Sequence, residues 1–466
     1  MIRGARARAS ATIDPMLPLW LRSTADIRSR HVPPVRPRGR CHPEGDMHLA
    51  TTLENGLRIL TAPMPHTRSV TISFYVGAGS RYETKAVAGL SHFVEHMLFK
   101  GSSKRPTAKE ISEAVDRVGG MLNGGTDREL TVYYVKVARP HFALAFDVLV
   151  DMLRRPVLDR EEIEKERRVI IEELAMVNDS PAQQVDVLLD EVLWPDQPLG
   201  WDVAGTPETV ASLSAEAIES YLARQYVPNN TVLAVAGAVD HEEVVEAARA
   251  ALADWPQGAP ASWFPAQDGP TEARVKVQYK RTEQAHISLA VPGVSTQHPD
   301  RHAVDLLSAI LGEGMSSRLF LELREKRSLC YDVHSYTIHF LDTGAFCVYA
   351  GVDPKQAPEA VVAILEQLAA IREGVPEEEL SKAKELAKGR LLLRMEDTRS
   401  VSGWLGAQEL LNKHVRTVDE VVEAIDAVTT EDLRRVARTL FRGERLALAI
   451  VGPYRSDRRF VPLLKL

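Results

Sequence analysis

The sequence predicts an α+β fold of two similar domains, each a largely antiparallel sheet packed with helices, related by internal duplication. Three observations predict it. At 466 residues the chain is too long for one ordinary core and suits two domains of about 200 residues each. An order of elements also repeats. The strand-like VYYVKV leads to Arg139-Pro140, a helical stretch, Pro156-Val157-Leu158 and an acidic helix start. The same order returns as FCVYAGV, Asp353-Pro354, a helical stretch, Gly374-Val375-Pro376 and EEEL. Finally, a Pro/Gly-rich run, WPQGAPASWFPAQDGPT at residues 255–271, has linker character. The expected limits are 47–255 for the first domain, 256–271 for the linker and 272–466 for the second domain. With 45% hydrophobic and 26% charged residues, the chain has ample apolar surface to bury in two cores.

Residues 1–46 differ in composition from the rest. Nine Arg and no Lys face only Asp14, Asp26, Glu44 and Asp46, which leaves this segment about +5 and the remainder about −12 of a net −7. Its Arg content, with no acid before Asp14, resembles a mitochondrial-type targeting peptide. Prolines at 15, 18, 33, 34, 37 and 43 oppose a long amphipathic helix, so a disordered tail or a leader ahead of a true start at Met47 is favoured. The expected location is a bacterial-type cytoplasm, with the mitochondrial matrix as the alternative if the segment is a targeting peptide. No stretch approaches the roughly 18 consecutive apolar residues of a membrane span. Cys41, Cys330 and Cys347 form no CxxC pair, which fits a reducing compartment, and Cys330 is expected to pack rather than react. The acidic body argues against nucleic acid and favours peptides carrying Lys or Arg.

The first domain carries the chemistry. Val87, Leu90, Val94, Met97 and Leu98 recur at helical spacing before the stop signal Gly101. His92, Glu95 and His96 fall opposite that stripe, two imidazoles a turn apart with a carboxylate between them. This is H-x-x-E-H, the inverted zinc-protease signature. A catalytic zinc normally takes three protein ligands and leaves one position for water, so a third ligand is required. Residues 159–176 read as a charged helix with an Asp cap and acids in its first turn. Glu166 and Glu173, two turns apart, share a face of it. Pattern alone does not choose between them and the other acids there.

The HFVEH segment followed by ERRVIIEE resembles the pitrilysin/insulinase family of zinc peptidases, in its short branch similar to mitochondrial processing peptidases. The likeness runs from Thr52 to about Gly452: an NGLRIL opening, a VGAGSRYE strand and loop, the metal helix, a Gly-rich turn into TVYY and the second helix. In the second half GEGMSSRLFLELREKRSLCY, residues 312–331, is similar to the family's glycine-rich loop with its Arg/Tyr pair. The resemblance implies one zinc per chain, held by His92, His96 and Glu173, with Glu166 orienting the ligands. Glu172, about 100° round the helix, is a bystander. It further implies that Glu95 is the general base on a zinc-bound water, and that Arg324 and Tyr331 are catalytic residues of the second domain that help hold the substrate and assist in polarising the scissile carbonyl.

The implied function is that of a zinc-dependent endopeptidase cleaving peptides or unfolded protein segments in a closed chamber. The substrate would add as a strand along an edge near Asn123, Gly124 and Thr126. A homodimer is the simplest closure of that chamber, because this chain is about half the longest family members. The alternative is a noncatalytic or partner-dependent core subunit of a processing-peptidase-like complex, a class whose members generally lack part of the metal set. A purely structural zinc site fits poorly, since such sites are closed by four ligands. Two departures stand out. Asn123-Gly124-Gly125-Thr126 replaces the usual Asn-Ala before Thr, loosening the strand, and Ser328 stands where Gly is usual. The second copy has DLLSAIL at residues 305–311, with no histidine pair. His286, His298, His302, His334 and His339 have no acidic partner at a ligand spacing and are read as surface or core residues.

Overall fold

The computed structural model describes residues 48–466 except Asp268 and Pro270. The expected tail, the start at Met47 and Cys41 lie outside the described residues. The first sheet contains β1 (Leu49–Thr52), β2 (Arg58–Pro63), β3 (Ser69–Val76), β4 (Met121–Thr126), β5 (Thr131–Ala138) and β6 (Thr231–Gly237), in the order β1-β2-β6-β3-β5-β4. The second contains β7 (Arg274–Tyr279), β8 (Ala285–Pro292), β9 (Cys330–His339), β10 (Gly344–Val352) and β11 (Ala447–Gly452), in the order β7-β11-β8-β10-β9. Without β1 the two orders coincide. Each sheet is antiparallel except at one pair, β2 with β6 and β7 with β11.

The helices repeat as well. The first half has α1 (Leu90–Leu98), α2 (Ala108–Asp116), α3 (Phe142–Arg154), α4 (Arg160–Asp179), α5 (Pro181–Leu193), α6 (Pro207–Ser212), α7 (Ala215–Gln225) and α8 (His241–Leu252). The second has α9 (Arg301–Gly312), α10 (Ala357–Ile371), α11 (Glu377–Arg394), α12 (Thr398–Asn412), α13 (Val418–Ala427) and α14 (Thr430–Leu440). The fold is therefore α+β and duplicated, as the repeated order of elements predicts. Among the described residues no helix is long and apolar enough to cross a membrane.

One feature is invisible in the linear order: each half covers one face of the other half's sheet. α5 packs its Val185, Leu188, Leu189 and Val192 on Ala290, Cys347 and Ala449 of the second sheet. Reciprocally, α12 packs Val401 and Leu405 on Leu60, Tyr75 and Ala234 of the first. Covered on both faces, β6 and β10 are buried at every position, which is why they read as unbroken apolar runs. Polar contacts fix the registration: Ser402 Oγ donates to Ser73 Oγ at 2.8 Å, and Arg58 Nη1 donates to Glu409 Oε1 at 2.9 Å. Gly406 brings α12 against the aromatic ring of Tyr75, and a Cβ there would lie 2.1 Å from the ring's Cδ2. Gly406→Ala is accordingly expected to lower stability by about 1–3 kcal/mol through overpacking, read as a lower urea midpoint.

The predicted linker is pinned between Gly258 and Gln267. Ala261 N donates to Gln225 Oε1, Phe264 N to Arg81 O at 2.8 Å, and Ala266 N to Asp342 Oδ2 at 2.7 Å. Arg81 is fully buried and bonds Glu129, Asp342 and the carbonyl of Phe264, while Glu129 also accepts Leu341 N at 2.9 Å. The β4–β5 turn of one sheet and the β9–β10 turn of the other thus share one buried ion cluster. Losing one partner of such a cluster is costly.

Candidate metal centre

Helix α1 starts later than its apolar stripe suggests. Val87 lies in a separate 3-10 turn, Lys85–Val87, and Gly89 is left-handed with φ 94°, so the helix begins at Leu90. Six of its nine residues are buried, and the other three are His92, Glu95 and His96. The open N–H groups at its start are met by a residue the sequence reading overlooked. The Glu83 carboxylate accepts from Gly89 N at 2.8 Å and from both the backbone and the hydroxyl of Ser91. Burial pushes the pKa of Glu83 up to about 7, against the pull of those bonds from Ser91 and Gly89. The available signal was an acid in the loop just ahead of the helix.

Helix α4 begins as its cap predicts, with the Asp159 carboxylate accepting from Glu161 N and Glu162 N at 2.9 and 3.0 Å. Its packing on α1 places Glu173 Oε2 3.8 Å from His92 Nε2 and 3.6 Å from His96 Nε2. The three ligand atoms all lie within 4.8 Å of one another. Ligand atoms around a tetrahedral zinc with bonds of about 2.0–2.2 Å are roughly 3.3–3.5 Å apart, so the two Glu173 distances need only a slight contraction to fit the ion. Two imidazole nitrogens and a carboxylate are also the chemistry of a catalytic zinc. Glu172 is exposed.

Glu166, buried on the same face of α4, accepts from His96 Nδ1 at 2.9 Å and is ion-paired with Lys100. A carboxylate can only accept there, so Nδ1 carries the proton and the Nε2 lone pair faces Glu173. Burial would lower the pKa of His96, but the Glu166 bond and the charges of Glu95 and Glu173 outweigh it and the net shift is upward. His92 has no such support. Its Nδ1 is buried with no hydrogen-bond partner, and burial, then the neighbouring His96, lower its pKa to about 4. A histidine depressed in this way stays neutral in the folded state while the unfolded chain takes up a proton. Metal-free protein should therefore lose about 3 kcal/mol from this group as pH falls from 6.5 towards 4, judged by urea unfolding against His92→Gln.

Glu95 points to the edge strand. Thr126 Oγ1, at the end of β4, donates to Glu95 Oε2 at 2.7 Å, and burial raises the carboxyl's pKa against that bond. Thr126, expected along the substrate edge, thus also bonds this carboxylate. β4 pairs only with β5, with Asn123 opposite Tyr134 and Gly124 opposite Tyr133, and its other edge has no strand among the described residues. The two glycines differ. A Cβ on Gly124 would meet the Phe99 ring at 3.0 Å, whereas one on Gly125 would meet nothing within 4 Å.

Arg324 lies in a π-helical segment, Phe320–Lys326, and Tyr331 opens β9. They meet each other: Arg324 Nη1 donates to the Tyr331 carbonyl at 3.1 Å, and the guanidinium lies 4.6 Å from the ring centroid. Among the described residues neither hydrogen-bonds to the His92, His96 and Glu173 group, and Tyr331 is 74% exposed. Ser328, between them, has φ 52°, the left-handed conformation that favours glycine. The Cys330 thiol is pushed up to about 11 by burial and then by Asp332, which leaves it inert at neutral pH. Two of the histidines do have acidic partners: His339 has Asp305 at 2.9 Å, contributed by a different element and therefore hidden from a reading of local spacing, and His334 has Asp332 of its own strand at 3.4 Å.

Two family descriptions match the chain: insulinase (peptidase family M16) over residues 58–207, and peptidase M16 inactive domain over residues 212–386. An uncharacterized zinc protease of Streptomyces coelicolor is 40% identical over 87% of this chain and 90% of its own. One of Bacillus subtilis is 36% identical over 86% of this chain and 97% of its own. Among solved structures, a protease from Helicobacter pylori superposes with a TM-score of 0.81 at 24% identity, covering 87% of this chain and 99% of that one.

Proposed function

This chain belongs to the insulinase family, peptidase family M16, and from that premise we propose that it is a zinc-dependent endopeptidase acting on peptides or unfolded protein segments. One observation carries the reading: His92, His96 and Glu173 converge on one point, with Glu95 beside it but outside the ligand set. The relatives named zinc proteases support zinc as the metal, and the one ligand group found among the described residues would hold one ion per chain. Bound there, zinc supplies a Lewis acid for the scissile carbonyl and lowers the pKa of water towards about 7.

The chain's own residues do the rest. Glu95 takes a proton from the attacking water and delivers it to the leaving amine, and its raised pKa suits both halves of that task. Thr126 fixes the carboxylate's position, and Glu166 fixes the tautomer of His96. A peptide laid along the free edge of β4 would find main-chain partners there, which favours breadth of sequence over strict selectivity. Arg324 and Tyr331, exposed and mutually supporting, would meet that peptide from the second half. A second copy of the chain would complete the chamber as a homodimer resembling a processing peptidase. The unpaired Cys330 and Cys347 fit a reducing cytoplasm. The inactive-domain match falls on residues 212–386, which contain none of His92, Glu95, His96 and Glu173, so it does not count against the metal set.

The test is hydrolysis of a mixed peptide library by the purified protein, with chelator and then with zinc restored. Cleavage lost on chelation and recovered with zinc supports the proposal. A zinc-loaded protein that cleaves nothing would overturn it in favour of the core-subunit reading.

A further inference from the structure

The second half places a cavity where the first has its metal centre. Helices α4 and α11 begin at Arg160 and Glu377, so Glu173 corresponds to Arg390, which is ion-paired with Glu313. Along α1 the buried pair Phe93 and Val94 separates His92 from Glu95; along α9 the buried pair Ala303 and Val304 separates His302 from Asp305. His96 is then matched by buried Leu306. Thr337 Oγ1 on β9 donates to Asp305 at 2.7 Å, the same contact that Thr126 makes with Glu95 at 2.7 Å. The scaffold of the site persists, but a metal set does not: one imidazole remains, and an arginine stands at the third ligand's place.

What remains is a cavity of about 350 Å³, onto which Arg301, Arg394, Arg416 and His302 open, with Asp305 the only acid among its lining residues. Asp305 is already engaged by Thr337, by His339 and, at 3.8 Å, by Arg301. Among the described residues Arg394 and Arg416 form no ion pair, and Arg301 Nε and His302 Nε2 are buried without hydrogen-bond partners. Leu306, Leu391, Trp404 and Ile425 form an apolar wall. Arg301 and Arg416 are half-buried and Arg394 lies exposed at the rim, so these guanidiniums face one lining carboxylate that is already engaged, an excess of positive charge that an anion relieves. The wall asks for more than a bare inorganic anion.

We propose that this cavity binds a small organic carboxylate with an apolar body, its charge held by the arginines and its tail against Trp404. The C-terminal carboxylate of a short peptide and a free medium-chain acid offer the same chemistry. The test is isothermal titration calorimetry on the purified full chain with N-acetyl-leucyl-leucine, octanoate, octanamide and inorganic phosphate. One or both carboxylates should bind, the two arms identifying the source, and octanamide should not. Arg416→Gln and Arg394→Gln, made separately and each checked for an unchanged melting curve and zinc content, should weaken binding about tenfold or more. Failure of both carboxylates at millimolar concentration, binding of phosphate alone, or undiminished binding by every folded variant would overturn the proposal.

Discussion

Glu95→Gln is expected to lower peptide hydrolysis by about 10²–10⁴-fold, the usual contribution of a positioned general base, while bound zinc and the melting temperature stay unchanged. The substitution is nearly isosteric. The amide keeps an oxygen to accept the Thr126 hydroxyl, now at 2.7 Å from the carboxylate, so the edge strand and α1 stay in register. What disappears is the capacity to take a proton from water and return it to the amine. Because the loss falls on the transition state, kcat should drop with little change in KM. Full activity in this variant would remove Glu95 from the reaction.

Glu173→Ala is expected to cost the protein its zinc, by more than the 10–100-fold typical of a residue that only supports a ligand, whereas Glu172→Ala should retain it. The contrast follows from the helix: Glu173 reaches within 3.6 Å of His96 Nε2, and Glu172, one residue away, is exposed. Metal content by atomic emission after dialysis distinguishes the two. Equal loss from both variants would reveal general damage to α4. With Glu173 gone the two imidazoles remain, but two ligands do not hold a catalytic zinc against a chelator.

Much of this was legible in the sequence because local pattern dictates it. The spacing of His92, Glu95 and His96, the Asp159 cap, and Glu166 and Glu173 two turns apart are one-helix facts, set by 3.6 residues per turn. The duplicated sheets followed from an order of elements repeated along the chain. Other features depend on contacts between distant segments and leave no periodic trace. Glu83 on the start of α1, Asp305 with His339 and the Arg81 cluster belong to this class. The helix boundary at Leu90 turned on the conformation of Gly89, which an apolar stripe does not encode. The family likeness supplied the choice of Glu173 over its neighbours, which helical geometry alone left open.

The reciprocal placement of α5 and α12 bears on what counts as a unit here. A fragment ending before the linker would keep α5 with nothing to sit on and leave Leu60, Tyr75 and Ala234 bare; its complement would fare the same way with Ala290 and Ala449. Neither half is a separable module, so the segment joining them is less a hinge than a short tether between two parts of one interlocked body. The arrangement is also that of an isologous pair in which each member lends the other one helix. A half-length chain of this fold would find its missing layer on a second copy of itself, and fusing the two copies converts an association that depends on concentration into one that does not.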